Sequence, residues 1–453
     1  MINLTLDEIL QAVEGNLYNG ELRDIPIDYV SIDSRTIKDN SIFIALKGDN
    51  FNGNLFWKDA INKGAKILIL DEYPNIEDEN FQEIIIKVVD TKKALLDLAR
   101  YYRNKLQIKV VGVTGSTGKT STKDLIAAAL SDRYKVYKTK GNYNNDIGMP
   151  LSILNIHDDI EVAVLEMGMN HINEIHRLAD VARPDLGVIT NVGITHIENL
   201  KTQENIFKAK MEIADFFQKD NVLIINGDDE YLSKIKNKNY KVLKTGLEKN
   251  NHIRAKDIVS LENGMKFTFE VNNHNKEILL PLLGVHNVYN CLLAIGVGMS
   301  LGVTLEEIER GLENLETTSM RLEIFNKGGI TVINDCYNAS PTSMKAAIDV
   351  LSNKEGKRKI AVLGYMAELG DFTESAHIEI GAYAKSKDVD VLLTLNNVGE
   401  LYGKGYGNAV QVFNSTEDLI KELINLADTG DIILVKASRS QRFEEITKGF
   451  LNN

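Results

Sequence analysis

The segment VVGVTGSTGKTS, residues 110–121, has the residue types of a phosphate-binding loop. Its β-branched start predicts a buried parallel strand, and a helical pattern follows from Ser121 to Leu130. In the glycine-rich turn between them, backbone N–H groups and the helix N-terminus favour an anion. Lys119 adds a positive charge, and the Thr120 hydroxyl can ligate Mg²⁺. The segment therefore predicts binding of a nucleoside triphosphate.

The spacing of the loop glycines differs from the common signature GxxxxGK[ST]. That signature would place a glycine at position 113, where this chain has Val113. The remaining pattern, GxxGKT, is a shorter loop and points away from generic GTPases and motor ATPases. A hairpin or a helix cap would explain the glycines, but not the Lys-Thr pair that follows them. The expected nucleotide contacts are Thr114, Gly115, Ser116, Thr117, Gly118, Lys119, Thr120 and Ser121.

Two further polar residues follow predicted strands of the same sheet. Glu166 ends the strand Glu161–Glu166, and His196 comes shortly after the strand Leu186–Thr190. The carboxyl ends of parallel strands form the crevice in which such sheets bind ligands. Glu166 could coordinate the Mg²⁺ that Thr120 touches or cap the following helix, and the motif context favours the metal. For His196, a metal or nucleotide role and a purely structural role are equally open.

A predicted amphipathic helix carries two lysines, Lys208 and Lys210, beside the apolar residues Phe207 and Met211. Its apolar residues are expected to face inward. From this pattern alone, both lysines are assigned to a solvated basic face of the helix.

Strands and helices alternate along most of the chain, which indicates an α/β protein. We expect a small α/β domain at 1–88, a central domain with a parallel sheet at 89–316, and a Rossmann-like α/β domain at 317–453. Catalysis would then take place in a cleft between domains. Two adjacent strands, Gly264–Val271 and Lys276–Leu283, predict an antiparallel hairpin appended to the central sheet. The other predicted strands are Asp28–Asp33, Ser41–Leu46, Lys66–Leu70, Glu83–Val89, Lys109–Thr114, Glu161–Glu166, Leu186–Thr190, Val222–Asn226, Lys241–Thr245, Ile330–Asn334, Lys359–Leu363, Val391–Thr394 and Asp431–Val435.

The composition is that of an ordinary globular chain, with 453 residues, 43% hydrophobic residues and a net charge of −12. The acidic balance argues against a nucleic-acid partner. Two cysteines, Cys291 and Cys336, are too few for a disulfide framework and suit a reducing compartment. The start MINLTLDEIL has no basic region typical of a signal peptide, and the most apolar stretch, Leu292 to Val303, is too short to span a bilayer. We expect a cytoplasmic enzyme without membrane insertion.

Motifs along nearly the whole chain resemble the Mur ligase family, the ATP-dependent amide ligases of peptidoglycan precursor synthesis. The resemblance is strongest to the member that adds D-alanyl-D-alanine. It implies that the chain joins this dipeptide to UDP-N-acetylmuramoyl-tripeptide (UDP-MurNAc-tripeptide), with ATP and Mg²⁺ as the required nucleotide and metal. Separately, we expect the chain to be a monomer. The resembling segments are DSRTIKDNSIFIALKGDNFNGNLF (33–56), TGSTGKTS (114–121), KGNYNNDIGMPLSIL (140–154), LEMGMNHINEI (165–175), ARPDLGVITNVGITHIENL (182–200), GVHNVYNCLLA (284–294), DCYNASPTSMKAAI (335–348) and GDIILVKASRSQRFEEI (430–446).

The resemblance also implies roles for residues that the patterns left open. Thr120, Glu166 and His196 would be Mg²⁺ ligands, and Lys210 would be a carbamylated lysine whose carbamate bridges a second Mg²⁺. The catalytic group would be Lys119, Lys210 and His196. This reverses the solvated-face interpretation of Lys210, because a charged lysine cannot ligate a cation but its carbamate can.

Substrate contacts follow from the same resemblance. Asn287 and Arg321 would contact the adenine and the ribose of ATP, and Asp335 would be the ribose-binding acid of the C-terminal domain. The remaining implied positions are Ser34 and Arg35 in the UDP site, and Asn144 and Asn145 along the path of the peptidyl substrate.

Three positions depart from the family pattern. Met320 stands before Arg321 where the family often has glycine, Tyr365 replaces an acid, and Asn52-Gly53-Asn54 replaces a common DGH. None of them is a phosphate or metal residue. The nearest alternative is folylpolyglutamate synthase, which shares the short loop but lacks a separate leading uridine-binding unit. A non-catalytic nucleotide-binding protein is a second alternative, and the intact set of polar residues argues against it.

Overall fold

The computed structural model describes residues 2–23, 25–76, 82–236, 239–271, 274–407 and 409–453. Within these ranges the chain forms three main β-sheets in succession, each covered by helices. None of the described helices is long and apolar enough to cross a lipid bilayer. Cys291 and Cys336 are both buried and free.

The N-terminal part forms a small mixed sheet. Its elements are α1 (Leu6–Ala12), β1 (Asn16–Asn19), β2 (Tyr29–Ser31), β3 (Ser41–Ile44), β4 (Lys47–Gly48), β5 (Phe51–Asn52), α2 (Trp57–Asn62), β6 (Ala65–Leu70) and β7 (Ile84–Lys87). The strand order is β1-β7-β6-β3-β2, with β1 antiparallel to β7 and the other pairs parallel. The predicted strand Asp28–Asp33 is shorter in the structure, because Asp33 caps a 3₁₀ helix at Ser34–Thr36.

The central part is built on a nine-stranded sheet in the order β16-β15-β14-β13-β12-β11-β8-β10-β9. Its elements are α3 (Thr91–Lys105), β8 (Lys109–Thr114), α4 (Lys119–Ser131), β9 (Val136–Lys138), α5 (Gly148–Leu154), β10 (Val162–Glu166), α6 (Glu174–Ala182), β11 (Leu186–Ile189), α7 (Ile197–Leu200), α8 (Gln203–Met211), β12 (Val222–Asn226), β13 (Lys241–Gly246), β14 (Ile253–Leu261), β15 (Gly264–Val271), β16 (His274–Leu280), α9 (Val285–Ser300) and α10 (Leu305–Glu313). In this order, every pair from β14 to β9 is parallel.

The position of β8 in this sheet explains where ligands can bind. Its neighbours are β10 on one side and β11 on the other, so the chain changes direction across the sheet at this strand. Such switch points open a crevice at the carboxyl ends of the strands. The predicted hairpin is confirmed as β15 paired with β16, but β14 adds a third antiparallel strand that the sequence did not indicate. The hairpin turn residues 272 and 273 lie outside the described residues.

The C-terminal part forms a six-stranded sheet. Its elements are β17 (Glu323–Lys327), β18 (Ile330–Asn334), α11 (Pro341–Asn353), β19 (Lys359–Leu363), α12 (Thr373–Ser386), β20 (Val391–Leu395), α13 (Val398–Tyr406), β21 (Val410–Phe413), α14 (Thr416–Leu426), β22 (Ile432–Lys436) and α15 (Glu444–Asn452). The order is β17-β18-β22-β19-β20-β21, parallel except for β17. The predicted α/β class is therefore confirmed.

Helix α3 joins the first two sheets. It packs on α1, α5 and α6, and its buried face belongs to one apolar core shared by both sheets. The Tyr102 hydroxyl, buried in this core, donates a hydrogen bond of 2.7 Å to the carbonyl of Ile156. The N-terminal and central sheets consequently share a continuous hydrophobic core.

Candidate active site

The phosphate-binding loop is held by the chain that follows β11. Thr117 N–H donates to Asn191 Oδ1 at 3.0 Å, and the Thr190 hydroxyl donates to the Thr117 carbonyl at 2.5 Å. Gly115, at φ +152°, lies so close to Thr190 that an added Cβ would be 1.8 Å from the threonine hydroxyl. Gly118, at φ +79°, begins α4 in the left-handed region that glycine adopts without strain. Both glycines are thus required by local geometry.

Lys119 and Thr120 form the first turn of α4. Lys119 Nζ donates to the Gly115 carbonyl at 2.8 Å, so the side chain folds back along the loop. Burial lowers the pKa of the Lys119 ammonium, with Glu166 opposing that shift. Thr120 is buried, and its hydroxyl donates to Glu166 Oε2 at 2.8 Å. The cation and the hydroxyl predicted from the sequence therefore lie together on the loop.

Glu166 faces the loop and not the helix after it. Its second oxygen, Oε1, accepts a hydrogen bond of 2.8 Å from Asn144 Nδ2. The helix that follows, α6, begins after Asn173, and its N-terminal N–H groups at Asn173 and His176 donate to Glu212 at 2.7 and 3.0 Å, not to Glu166. The helix-cap alternative for Glu166 is thus wrong, and the carboxylate is available to a ligand in the crevice.

The donors beside Thr120 fit a magnesium ion. A hydroxyl and a carboxylate oxygen in contact are the hard ligands that Mg²⁺ prefers, and Mg²⁺ usually adds substrate phosphates and waters to one or two carboxylates. Within the described residues, no group of three His, Cys, Asp or Glu side chains forms a complete metal cage. The chain's own residues therefore fit a metal that is shared with a nucleotide.

His196 stands across the crevice from Glu166 on left-handed backbone, at φ +64°. Its Nδ1 atom is buried and lies 2.6 Å from Glu368 Oε2 without the alignment of a hydrogen bond. Contact with His196, and more weakly the charge of Lys119, holds the pKa of the Glu368 carboxyl below its usual value. With Nδ1 against this carboxylate, Nε2 is the ring nitrogen left for a metal. The contact brings a C-terminal residue to the central crevice.

Lys210 is buried in α8, whereas Lys208 is exposed and pairs with Glu204. The solvated-face interpretation is correct for Lys208 and wrong for Lys210. Lys210 is 1% exposed. Burial, and then the charge of Lys119, lower the pKa of its amine well below the usual value. The charge of Asp229 opposes this shift in pKa, and burial favours the neutral form of the amine.

Arg321 reaches the phosphate loop from the C-terminal side. Its Nη2 donates to the Thr120 hydroxyl at 2.7 Å, and its guanidinium lies 4.1 Å from the centre of the Tyr337 ring. The residues on either side, Met320 and Leu322, have φ of +61° and +50°. Position 320 is where the family often has glycine, and the left-handed backbone gives the physical reason.

Asp335 lies beside Arg321 at the end of β18. Its Oδ2 accepts a hydrogen bond of 2.5 Å from the buried Lys436, and its Oδ1 accepts one of 3.3 Å from Leu322 N–H. Lys436 also donates to the Asn338 carbonyl at 2.9 Å. Asp335 is therefore oriented by its own domain.

Asn287 is buried near the start of α9. Its side chain donates to the Leu283 carbonyl at 2.8 Å and accepts from Asn290 at 3.0 Å. Asn290 also lies against Gly118, where an added Cβ would be 2.8 Å from its side-chain oxygen. The helix thus links Asn287 to the phosphate loop.

These residues line one cleft of about 1470 Å³ between the central and C-terminal parts. The predicted site residues on its wall are Ser116, Thr117, Gly118, Lys119, Thr120, Ser121, Asn144, Asn145, Glu166, His196, Asn287, Arg321 and Asp335. Thr114, Gly115 and Lys210 are not on this wall. Thr114 ends β8, Gly115 begins the loop, and the charge of Lys119 acts on Lys210. The structure therefore brings most of the predicted residues together.

Ser34 and Arg35 are placed elsewhere. They form the 3₁₀ helix of the N-terminal part, where Ser34 is buried and Arg35 is exposed and paired with Asp33. Neither belongs to the wall of the cleft. Asn145 reaches the cleft but also begins α5, because its side chain accepts from Gly148 N–H at 2.8 Å.

The other two departures from the family pattern have structural partners. Tyr365 stacks on the ring of the buried His377 at 5.2 Å. Asn54 is buried and donates to Asp71 at 2.6 Å, while Asn52 donates to Glu72 at 3.0 Å. These side chains are integrated in hydrogen-bonded or stacked contacts of their own domains.

Comparison with known proteins agrees with this arrangement. Family models described as the Mur ligase middle domain, the Mur ligase glutamate ligase domain and the Mur ligase family catalytic domain match residues 113–298, 320–439 and 26–103. A curated protein of Bacillus subtilis, UDP-N-acetylmuramoyl-tripeptide–D-alanyl-D-alanine ligase, is 39% identical over 100% of this chain and 99% of its own length. The chain belongs to the Mur ligase family.

The structure is also similar to solved structures of other Mur ligases. A MurF crystal structure from Acinetobacter baumannii has a TM-score of 0.90 and 28% identity, with 99% of each chain covered. A MurF ligase from Thermotoga maritima in complex with ADP has a TM-score of 0.84 and 29% identity, covering 94% of this chain and 97% of that one. These likenesses confirm the expected three-domain ligase architecture.

The alternative family is a more distant neighbour. Folylpolyglutamate synthase of Mycobacterium tuberculosis has a TM-score of 0.62 and 16% identity, covering 79% of this chain and 94% of its own. At this identity the likeness concerns the fold alone. The synthase therefore matches a smaller share of this chain than the Bacillus subtilis ligase, which matches all of it.

Sequence reasoning missed four residues of the site. Asn191 holds the loop, Lys436 orients Asp335, and Glu368 meets His196 across the cleft. Asp124, buried on α4, accepts from the backbone and hydroxyl of Thr318 at 2.9 and 2.8 Å. Asn191 follows a predicted strand directly and could have been suspected, whereas the other three carry no local signal.

Proposed function

We propose that this Mur ligase joins D-alanyl-D-alanine to UDP-MurNAc-tripeptide with ATP hydrolysed to ADP and phosphate. The observation that carries the proposal is the meeting of Lys119, Thr120 and Glu166 with the C-terminal Arg321 in one cleft. Such a site can hold a triphosphate between two domains while a carboxylate approaches its terminal phosphorus. The name of the Bacillus subtilis relative supports the choice of substrates.

The reaction needs the terminal carboxylate of the tripeptide to become electrophilic. That carboxylate attacks the γ-phosphorus of ATP and gives an acyl phosphate and ADP. The amine of the dipeptide then attacks the acyl carbon, and phosphate leaves. Two anions must meet in the first step, and at ~4 Å their repulsion is about 1 kcal/mol in water and several-fold more in a closed cleft.

The chain's cations and loop offset this repulsion. Lys119 and the backbone N–H groups of the loop bind the phosphates, and Arg321 adds charge from the opposite wall. Thr120, Glu166 and His196 would hold Mg²⁺, which would supply further neutralisation of the negative charge in the cleft. Closure of the C-terminal domain excludes water that would hydrolyse the acyl phosphate.

The remaining residues position the substrates. Asn287 is assigned to adenine and Asp335 to ribose, since both lie on the cleft wall beside the loop. Asn144, which orients Glu166, and Asn145 are assigned to the peptidyl path. Ser34 and Arg35 are assigned to the uridine nucleotide, since they lie in the N-terminal part and outside the wall of the cleft.

Lys210 is assigned as a carbamate. Its neutral amine would attack CO₂, form an N–C bond and release one proton to solvent, leaving an anionic oxygen ligand for a second Mg²⁺. Burial and the lowered pKa of the amine support this assignment, because only the uncharged amine is nucleophilic. The charge of Lys119 favours an anion at this position.

The domain boundaries remain those expected from the sequence. We assign residues 1–88 to the uridine nucleotide, 89–316 to ATP, and 317–453 to the ribose of ATP and the dipeptide. The three sheets, which lie within residues 16–87, 109–280 and 323–436, support this division. We further assign the enzyme to the cytoplasm as a monomer, and the free cysteines agree with a reducing compartment.

Phosphate release measured with each substrate omitted in turn tests the function. We expect release that requires ATP, UDP-MurNAc-tripeptide and D-alanyl-D-alanine together, with the pentapeptide product seen by mass spectrometry. Release with a folate and glutamate would instead indicate folylpolyglutamate synthase. Nucleotide binding without turnover in any mixture would indicate the non-catalytic alternative.

A further inference from the structure

Three carboxylates of the C-terminal domain line the cleft: Asp335, Asp349 and Glu368. Two of them are neutralised by lysines of their own domain. Asp335 binds Lys436 at 2.5 Å, and Asp349 binds Lys387 at 2.7 Å. Glu368 has no such partner among the described residues of its domain, and its ion-pair contact is with His196 across the cleft. In the described part of the chain, no lysine or arginine of its own domain neutralises this carboxylate, which faces the cleft.

The backbone of Glu368 is held in an unfavourable conformation. Its φ of +64° lies in the left-handed region, which is strained for a non-glycine residue. The neighbours fix it there, because Met366 N–H donates to His377 at 3.0 Å and Ala367 N–H donates to Ser438 at 2.9 Å. Strain that surrounding contacts maintain is typical of functional positions.

The same loop is seated on the central domain. Gly370, at φ +51°, packs so closely on Glu198 that an added Cβ would be 3.2 Å from its side chain. Glu368 is consequently placed at a defined point, opposite the phosphate loop and within electrostatic range of Lys119. This is the side of the cleft from which the second substrate must approach the acyl phosphate, because the central wall is occupied by the phosphate and metal residues.

We propose that Glu368 binds the ammonium group of the dipeptide substrate and places its nitrogen against the acyl phosphate. The inference rests on the proposed function. The dipeptide enters as an ammonium, and a carboxylate without a cation of its own domain is the group that recognises it. The nitrogen loses one proton to solvent before it forms the new N–C bond and a second proton afterwards, and the phosphate leaves with the electrons of the C–O bond.

A different role would be structural, with Glu368 positioning His196 as a ligand. The two roles predict different results for Glu368→Gln, which keeps the shape and removes the charge. For an ammonium-binding residue, we expect the KM for D-alanyl-D-alanine to rise about 10-fold or more, with the KM for ATP and the Mg²⁺ concentration for half-maximal rate unchanged. A residue that positions His196 would instead shift the Mg²⁺ requirement.

Hydroxylamine gives the decisive second measurement. It is a small, neutral nucleophile that captures an acyl phosphate as a hydroxamate and has no ammonium for Glu368 to recognise. Glu368→Gln should therefore form hydroxamate at the rate of the unmodified enzyme while ligating the dipeptide poorly. Equal losses in hydroxamate and ligation, or an unchanged KM for the dipeptide, would overturn the proposal.

Glu198→Gln is the matched control. Glu198 is an exposed carboxylate that contacts the same loop but does not line the cleft, so its substitution should leave both nucleophiles unaffected. Measurements on the unmodified enzyme separate failure of the proposed function from failure of the role of Glu368. If it forms hydroxamate but no dipeptide product, the proposed function is wrong, whereas a normal product with an unchanged Glu368→Gln variant is evidence against Glu368 alone.

Discussion

The two walls of the cleft are built in different ways. On the central wall, the phosphate loop is shaped by glycines and held by backbone and short polar side chains that follow the next strand of the sheet. On the C-terminal wall, the charges of Arg321 and Glu368 are carried on or beside left-handed backbone and touch residues of the other domain. The central wall is held by contacts within one domain, whereas the C-terminal wall depends on how two domains meet.

The linker between α10 and β17, residues 314–322, connects the two walls. Asp124 lies on α4, the helix that begins at the phosphate loop, and accepts two hydrogen bonds from Thr318, three residues before Arg321. Asp124 also pairs with Lys138 at 3.2 Å. Arg321 is thereby attached to the same helix that carries Lys119, and substitutions on each wall should separate loss of chemistry from loss of alignment.

The largest effect is expected for Lys119→Ala on the central wall. It removes the charge that the loop presents to the phosphates. Because this charge stabilises the transition state, we expect turnover to fall by about 1000-fold or more. Circular dichroism and thermal unfolding should show a folded protein. Ligation at the normal rate would contradict the phosphate-loop assignment.

Lys210→Ala should reduce turnover by about 100-fold, because a carbamate ligand would be lost from the metal site. Short carboxylic acids such as acetate should restore part of the rate by supplying an oxygen ligand in the vacated space. Lys208→Ala, two residues away on the exposed face of the same helix, is the control and should be neutral. Full activity of Lys210→Ala without added acid would reject the carbamate.

On the C-terminal wall, Arg321→Ala should lower kcat/KM for ATP by about 10-fold to 100-fold, the range for one charge-assisted hydrogen bond. The loop itself should stay intact, because its hydrogen bonds come from residues 190–193. Arg310→Ala removes an exposed arginine paired with Asp132 and controls for the loss of charge. An Arg321→Ala variant with normal ATP kinetics would show that the C-terminal wall does not reach the nucleotide.

Thr318→Val should have the smallest effect. It removes one of the two hydrogen bonds to Asp124 while keeping the backbone bond, at a cost of about 1 kcal/mol in the free energy of unfolding. Urea denaturation measures that loss, and ATP kinetics should change only a few-fold. A loss as large as that of Arg321→Ala would mean that the linker, more than the arginine, aligns the two walls.

The fold was predictable to a large extent, since most buried parallel strands are short apolar runs between helical segments. The additional strands show where this reasoning ends. Val136–Lys138 and Val410–Phe413 are edge strands with partly exposed residues, and Ile253–Leu261 contains charged residues along its length. Their pairing depends on neighbours that are distant in sequence.

The site divides in the same way. The sequence by itself determined the chemistry of the phosphate loop, because a strand, a glycine turn and a helix N-terminus are adjacent along the chain and create an anion site locally. Only the tertiary structure decided that Lys210 is buried, that Arg321 meets Thr120 from 201 residues away, and that Glu368 faces His196. The physical reason is that burial and contacts across a cleft are set by the packing of domains, which leaves no signal in the spacing of nearby residues.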